Sequence, residues 1–128
     1  MSQIIHTSAA PAAIGPYSQA VITGGLVFTS GQIAIDPACG EVVAKDIEGQ
    51  TEQVCKNLSA VLEAAGSGLD KVVKTVCFLK NMSDFAAFNE VYGKYFTGKP
   101  ARSCVAVKEL PKNVLVEIDT IAKAGESK

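Results

Sequence analysis

Two kinds of apolar spacing alternate along the chain. From Asp46 to Ala65, Val54, Leu58, Val61, Leu62 and Ala65 fall at i, i+4, i+7, i+8 and i+11, one stripe of a 3.6-residue period. Gly66 follows as a C′ stop. A second helix is predicted from a cap at Ser83 or Asp84 to about Phe96, with Phe85, Phe88, Tyr92 and Tyr95 forming an aromatic stripe suited to core packing. The other apolar runs are short and β-branched. Ile4-Ile5 opens a short strand, and 9–16 is a loop punctuated by proline and glycine. Tyr17–Thr23 and Leu26–Ser30 are strands separated by Gly24-Gly25, a pair that supplies the positive φ of a tight hairpin. Ser30-Gly31-Gln32 ends the second of them, and a further turn falls at Asp36-Pro37 and Cys39-Gly40. Lys71–Lys80 reads as a strand buried on at least one face.

Pro100 to Ala122 carries the densest chemistry. It reads as a β-hairpin turning at Leu110-Pro111-Lys112-Asn113, where proline cannot donate to a ladder and asparagine tolerates turn dihedrals. Arg102 and Cys104, two apart, share one strand face. If Val107 faces Val114, Cys104 lies opposite Glu117, ~5 Å away at Cβ, which brings an arginine, a thiol and a carboxylate within reach of one another. A guanidinium and a carboxylate in an apolar hairpin are costly to bury without partners. The pair is therefore a candidate site with an anion-binding half and a proton-handling half. On the residues alone, Arg102 serves equally as that anchor or as an ion-pair partner of Glu117 or Asp119.

The element order β-β, α, β, α, β-β predicts a single α+β domain over 1–128, a mixed sheet with both helices on one face. The 48% hydrophobic content fits one core and leaves room for a subunit interface. The net charge of −1 without a basic run argues against nucleic-acid binding. No apolar run approaches a membrane span, and no secretory leader is visible, so the cytoplasm is the expected location. Four cysteines, none in C-x-x-C spacing, and the lone His6, expected at the surface, offer no metal-ligand set. Cys39, Cys55 and Cys77 read as reduced, mostly buried thiols. No phosphate-cradling or dinucleotide motif is present, so no cofactor is expected. The ends, 1–3 and 125–128, read as frayed.

APAAIGPYSQA at 10–20, TSGQIAIDPACGE at 29–41, PARSCVAV at 100–107 and VEIDTIA at 116–122 together resemble the Rid family, the RidA or YjgF-type enamine/imine deaminases. The resemblance covers nearly the whole chain, in order. It implies a chorismate-mutase-like fold and a homotrimer whose three clefts lie between subunits. It also implies hydrolysis of 2-aminoacrylate and related imines to 2-keto acids and ammonia. Only TGKPAR follows Phe96 here, a shorter segment than relatives often have, which is expected to reshape the cleft mouth.

Under that resemblance Arg102 anchors the substrate carboxylate through paired charge-assisted hydrogen bonds. Glu117 orients water and shuttles protons; burial raises its pKa while Arg102 lowers it. Cys104, with no activating histidine in the motif, lines the pocket rather than attacking, its thiol made somewhat reactive by Arg102. Tyr17, Ser30 and Gly31 are ligand contacts from the neighbouring subunit, and Asn89 lies near the cleft. Two other readings remain. The same pocket suits a non-catalytic sensor of 2-keto acids, and family members have been described as translation inhibitors or ribonucleases, which the acidic pI of about 5.8 disfavours.

Overall fold

Asp46 starts the first helix. Its carboxylate accepts the Gly49 N–H at 2.8 Å and so caps α1 (Ile47–Ala64). At the other end Gly66, at φ +77°, donates to Glu63 while Ser67 donates to Leu62. This is a Schellman stop, which glycine makes possible. The computed structural model describes residues 2–125; Met1 and 126–128 lie outside them. Two residues expected to fray are held: Gln3 pairs with Ile22, and Gly125 lies so close to the Gly66 carbonyl that a Cβ there would collide with it.

The strands are β1 (Gln3–Ile5), β2 (Ala20–Thr23), β3 (Leu26–Thr29), β4 (Ile35–Asp36), β5 (Glu41–Val42), β6 (Val72–Leu79), β7 (Ala101–Ala106) and β8 (Val116–Lys123). Gly24 and Gly25, at φ +59° and +78°, turn β2 into β3. Tyr17–Gln19, expected at the start of that strand, instead precede it as loop. The main sheet has the order β1-β2-β3-β8-β6-β7, and β4-β5 form a separate two-stranded ribbon.

The expected hairpin between β7 and β8 does not form. β6 lies between them, antiparallel to β8 and parallel to β7. Helix α2 (Phe85–Tyr95) makes the crossover from β6 to the parallel β7 that such pairing requires. The turn at Pro111–Asn113 exists, with Lys112 and Asn113 at φ +54° and +55°, but it carries the chain past the end of β6. Cys104 is consequently opposite Cys77, and Glu117 is opposite Phe78.

Val116, Ile118, Thr120 and Ala122 of β8 and Thr75, Cys77 and Leu79 of β6 face the helices and are buried. Against them pack Val54, Leu58, Val61 and Leu62 of α1 and Phe88 of α2. Val76, Phe78, Glu117, Asp119, Ile121 and Phe28 lie on the other face by strand alternation. Among the described residues no element covers this side as the helices cover the first; Phe28 and Val105 are 39% and 49% exposed. No helix among the described residues is long and apolar enough to cross a membrane.

Candidate functional site

The site residues assemble into two groups. The first surrounds Glu117. A pair of backbone bonds between Gln32 and Ile118, 2.8 and 3.2 Å, draws the chain after β3 against β8. It puts Gly31 beside Glu117 so closely that a Cβ at 31 would lie 2.9 Å from the Glu117 carboxyl carbon. Ser30 donates its hydroxyl to the Ser18 carbonyl at 2.6 Å and so ties this chain to the segment carrying Tyr17, which is half exposed. Tyr17, Ser30, Gly31 and Glu117 line one cleft of about 480 Å³, with Ile14 and Ile33 as apolar walls.

Burial raises the Glu117 pKa above the usual carboxylate range, and the neighbouring Asp119 raises it further. Asp119 is itself raised by burial, against the lowering influence of Lys74. The opposing pull expected from Arg102 is absent, because rows Thr75–Arg102 and Phe78–Glu117 are three apart and face opposite sides of the sheet. An ion pair of Arg102 with Glu117 or Asp119 within one chain is excluded on the same ground.

The second group surrounds Arg102. Its Nη1 donates to Asn89 Oδ1 of α2 at 2.7 Å. The guanidinium carbon lies 4.8 Å from the ring centroid of Tyr92, 5.4 Å from Phe85 and 5.9 Å from Phe88. The aromatic stripe of α2 thus serves both core and cation. Arg102 also lines an open cleft of about 320 Å³ with Thr97, Lys99 and Pro100. Cys104 stands two residues along the same face, partly buried beside Cys77.

Burial pushes the Cys104 thiol up, and the lowering influence of Arg102 does not offset it. Cys77 is pushed up to about 12 by burial. Cys39, expected to be buried, is exposed on the turn between β4 and β5. His6 is exposed, as expected.

One chain therefore holds a carboxylate half-site and a guanidinium half-site on opposite faces of its sheet. The Endoribonuclease L-PSP family model matches residues 7–124. The chain belongs to this family, the Rid or YjgF proteins. It is 57% identical over 122 residues to a Lactococcus lactis protein named as a candidate regulator, AldR, across 94% of this chain and 97% of that one. It is 49% identical over 126 residues to the 2-iminobutanoate/2-iminopropanoate deaminase of Salmonella typhimurium, across 95% and 98%. Among solved structures it resembles TdcF of E. coli with bound serine, with a TM-score of 0.91 and 43% identity over 96% of this chain and 99% of that one.

Three buried polar residues that build this Rid site were not singled out in the sequence. Gln19, 2% exposed, accepts the Thr7 N–H at 2.7 Å and donates to the Thr7 and Pro11 carbonyls at 3.0 and 2.8 Å, fixing the segment that walls the cleft. Asn57, on the buried face of α1, donates to the carbonyls of Ile33 and Ile35 at 3.1 and 2.9 Å. Thr75 shares a 2.7 Å hydrogen bond with the Tyr92 hydroxyl. The available signal was a polar residue inside an apolar run: Gln19 ahead of Ala20-Val21-Ile22, and Asn57 between Val54 and Leu58.

Proposed function

We propose that this Rid protein hydrolyses 2-imino acids, 2-iminopropanoate and 2-iminobutanoate, to 2-keto acids and ammonia. The chemistry is carried out in clefts between the subunits of a homotrimer with the chorismate-mutase-like arrangement. The observation that carries the reading is the division of the site. A guanidinium already oriented by Asn89 and aromatic rings, and a desolvated carboxylate beside Gly31, lie on opposite faces of one sheet. A neighbouring copy would supply the missing half to each. The uncovered sheet face with Phe28 and Val105 supports such a contact. The serine bound in TdcF supports a pocket for a carboxylate next to a nitrogen-bearing carbon.

In this reading Arg102 of one subunit receives the substrate carboxylate, and Tyr17, Ser30 and Glu117 of the next face the imine carbon. The enamine first tautomerises to the imine. Glu117, as carboxylate, takes a proton from water as its oxygen adds to the imine carbon. The resulting carboxylic acid returns the proton to the amino nitrogen. Glu117 then carries the hydroxyl proton to that nitrogen as the C–N bond breaks and the hydroxyl oxygen becomes the keto oxygen, so ammonia leaves and the glutamate ends as it began. A raised pKa brings donor and acceptor forms closer in population at neutral pH, which suits a group that must do both. Cys104 lines the wall and takes no covalent part. The cytoplasm, where pyridoxal-phosphate dehydratases release such intermediates, is the proposed place of action.

The test mixes the protein with a serine or threonine dehydratase, traps imine with semicarbazide and follows keto-acid release. Acceleration by wild type that is lost in Arg102→Ala supports the reading; equal rates with and without the protein refute it.

A second reading, a 2-keto-acid sensor without turnover, is favoured by the 57% identity to a candidate regulator. Tight keto-acid binding by wild type with no turnover of any imine would establish it. Loss of turnover with binding kept in Glu117→Ala would exclude it. The endoribonuclease named in the family description finds no support in a chain of net charge −1.

A further inference from the structure

Arg102 is the chain's only arginine, and among the described residues it stands on an edge strand bonded to β6 alone. A long side chain in that position would ordinarily sample many rotamers and lose them on meeting an anion. Here it is confined. Tyr92 offers the nearest ring, 4.8 Å away, and that ring is itself held twice. Its hydroxyl lies 2.7 Å from the Thr75 hydroxyl, and Thr75 is fully buried and directly beside Arg102 in the β6–β7 register. Its face stacks on Phe96, centroids 4.5 Å apart and planes 26° apart. Asn89 takes one of the five guanidinium N–H donors and leaves the others for a ligand.

We infer that Tyr92 is a positioning residue for the anion anchor: clamped by Thr75 and Phe96, its ring presets the Arg102 guanidinium for a carboxylate. The inference takes the carboxylate role of Arg102 from the reading above. Tyr92, itself buried at 8% exposure, acts through Arg102 rather than on the substrate. The cage also accounts for an aromatic at the outer position Phe85, 5.4 Å from the guanidinium, which is only partly buried.

The experiment compares wild type with Tyr92→Leu, Tyr92→Phe and Phe85→Leu in the intact assembled protein. The probe is 2-oxobutanoate, the stable product, and turnover of 2-iminobutanoate is measured alongside. Removing the Tyr92 ring is expected to weaken 2-oxobutanoate binding and raise KM by about tenfold, with kcat within about twofold of wild type. Tyr92→Phe, which keeps the ring, should restore binding to within about threefold, and Phe85→Leu should fall between them. The single Arg102 Nε–H resonance should be ordered in free wild type and lose order in Tyr92→Leu.

Unchanged binding and an unchanged resonance in both Tyr92→Leu and Phe85→Leu would overturn the inference. So would a loss in Tyr92→Phe equal to that in Tyr92→Leu. Should Tyr92→Leu fail to fold, Phe85→Leu and Tyr92→Phe decide. If wild type neither binds the keto acid nor turns over the imine, the proposed function fails, while the order of the resonance still decides the cage.

Discussion

Gly31→Ala tests the carboxylate half-site with one added methyl. The new Cβ would lie 2.9 Å from Cδ and 3.1 Å from Cγ of Glu117, inside van der Waals contact. The obstacle is a side chain with rotatable bonds, so the glutamate swings aside. Overpacking costs ~1–3 kcal/mol where nothing yields; with a side chain that yields, about 1–2 kcal/mol is expected, near the energy of one off-rotamer torsion. For a domain of this size that lowers Tm by about 4–8 °C. Turnover should fall by at least ~10²-fold, because displacement removes general acid–base help. Keto-acid binding through Arg102 should persist. The decisive assay is a double-mutant cycle on Tm. In a Glu117→Ala background the obstructing atoms are gone, so Gly31→Ala should cost less than about 0.5 kcal/mol. Equal destabilisation in both backgrounds would refute the steric account and place the strain in the backbone at 31.

Other perturbations read other parts of the structure. The folded-state pKa of Glu117 lies above its ordinary 4.5, so the extra stability conferred by its protonated form is present below pH 4.5 and lost as pH rises through the folded value. Glu117→Gln, which does not ionise, should therefore gain stability relative to wild type between about pH 4 and pH 8; a constant difference across that range would contradict it. Gln19→Ala strips three hydrogen bonds from the cleft wall and should cost about 2–3 kcal/mol in a urea titration; less than about 0.5 kcal/mol would mean water replaces them freely. Of the four thiols, Cys39 should label rapidly near neutral pH, Cys104 slowly, and Cys55 and Cys77 only on unfolding; fast labelling of Cys104 in the native protein would show an activated thiol.

How far the sequence carried depended on the range of the interactions concerned. Helix α1 was legible to within a residue at each end, because its stripe, its cap at Asp46 and its stop at Gly66 are local signals. The β2–β3 hairpin was legible from Gly24-Gly25 for the same reason. Strand pairing among β6, β7 and β8 was not, since a ladder's partner is chosen by the whole sheet. Two signals against the hairpin were nonetheless present. The connection from β7 to β8 spans 107–115, longer than tight hairpins use. The succession β6, α2, β7 is also the pattern that gives parallel neighbours. Placing β6 between them sent Arg102 and Glu117 to opposite faces, a difference no local pattern carries. Arg102 was recognised as a cation in need of a partner, but the partner is an aromatic stripe assigned to the core. The two functions coincide because α2 packs directly over that strand.

That separation gives the proposed assembly a quantitative consequence. If each site takes Arg102 from one protomer and Glu117 from the next, neither Arg102→Ala nor Glu117→Ala can work alone as a homotrimer. A site in a mixed trimer is complete when its arginine comes from a Glu117→Ala chain and its glutamate from an Arg102→Ala chain. With equal, random mixing after co-refolding, each condition is met half the time, so about one quarter of wild-type activity should return in a cyclic assembly with heterologous contacts. Sites built within one chain would give no recovery at any ratio, and simple mixing without subunit exchange should also give none until the trimers dissociate. Recovery should peak at equal proportions and fall symmetrically on either side, since it follows the product of the two fractions. A flat zero across all proportions, in trimers shown by native mass to be mixed, would mean that Arg102 and Glu117 do not meet across subunits, and the catalytic division proposed for this Rid protein would be wrong.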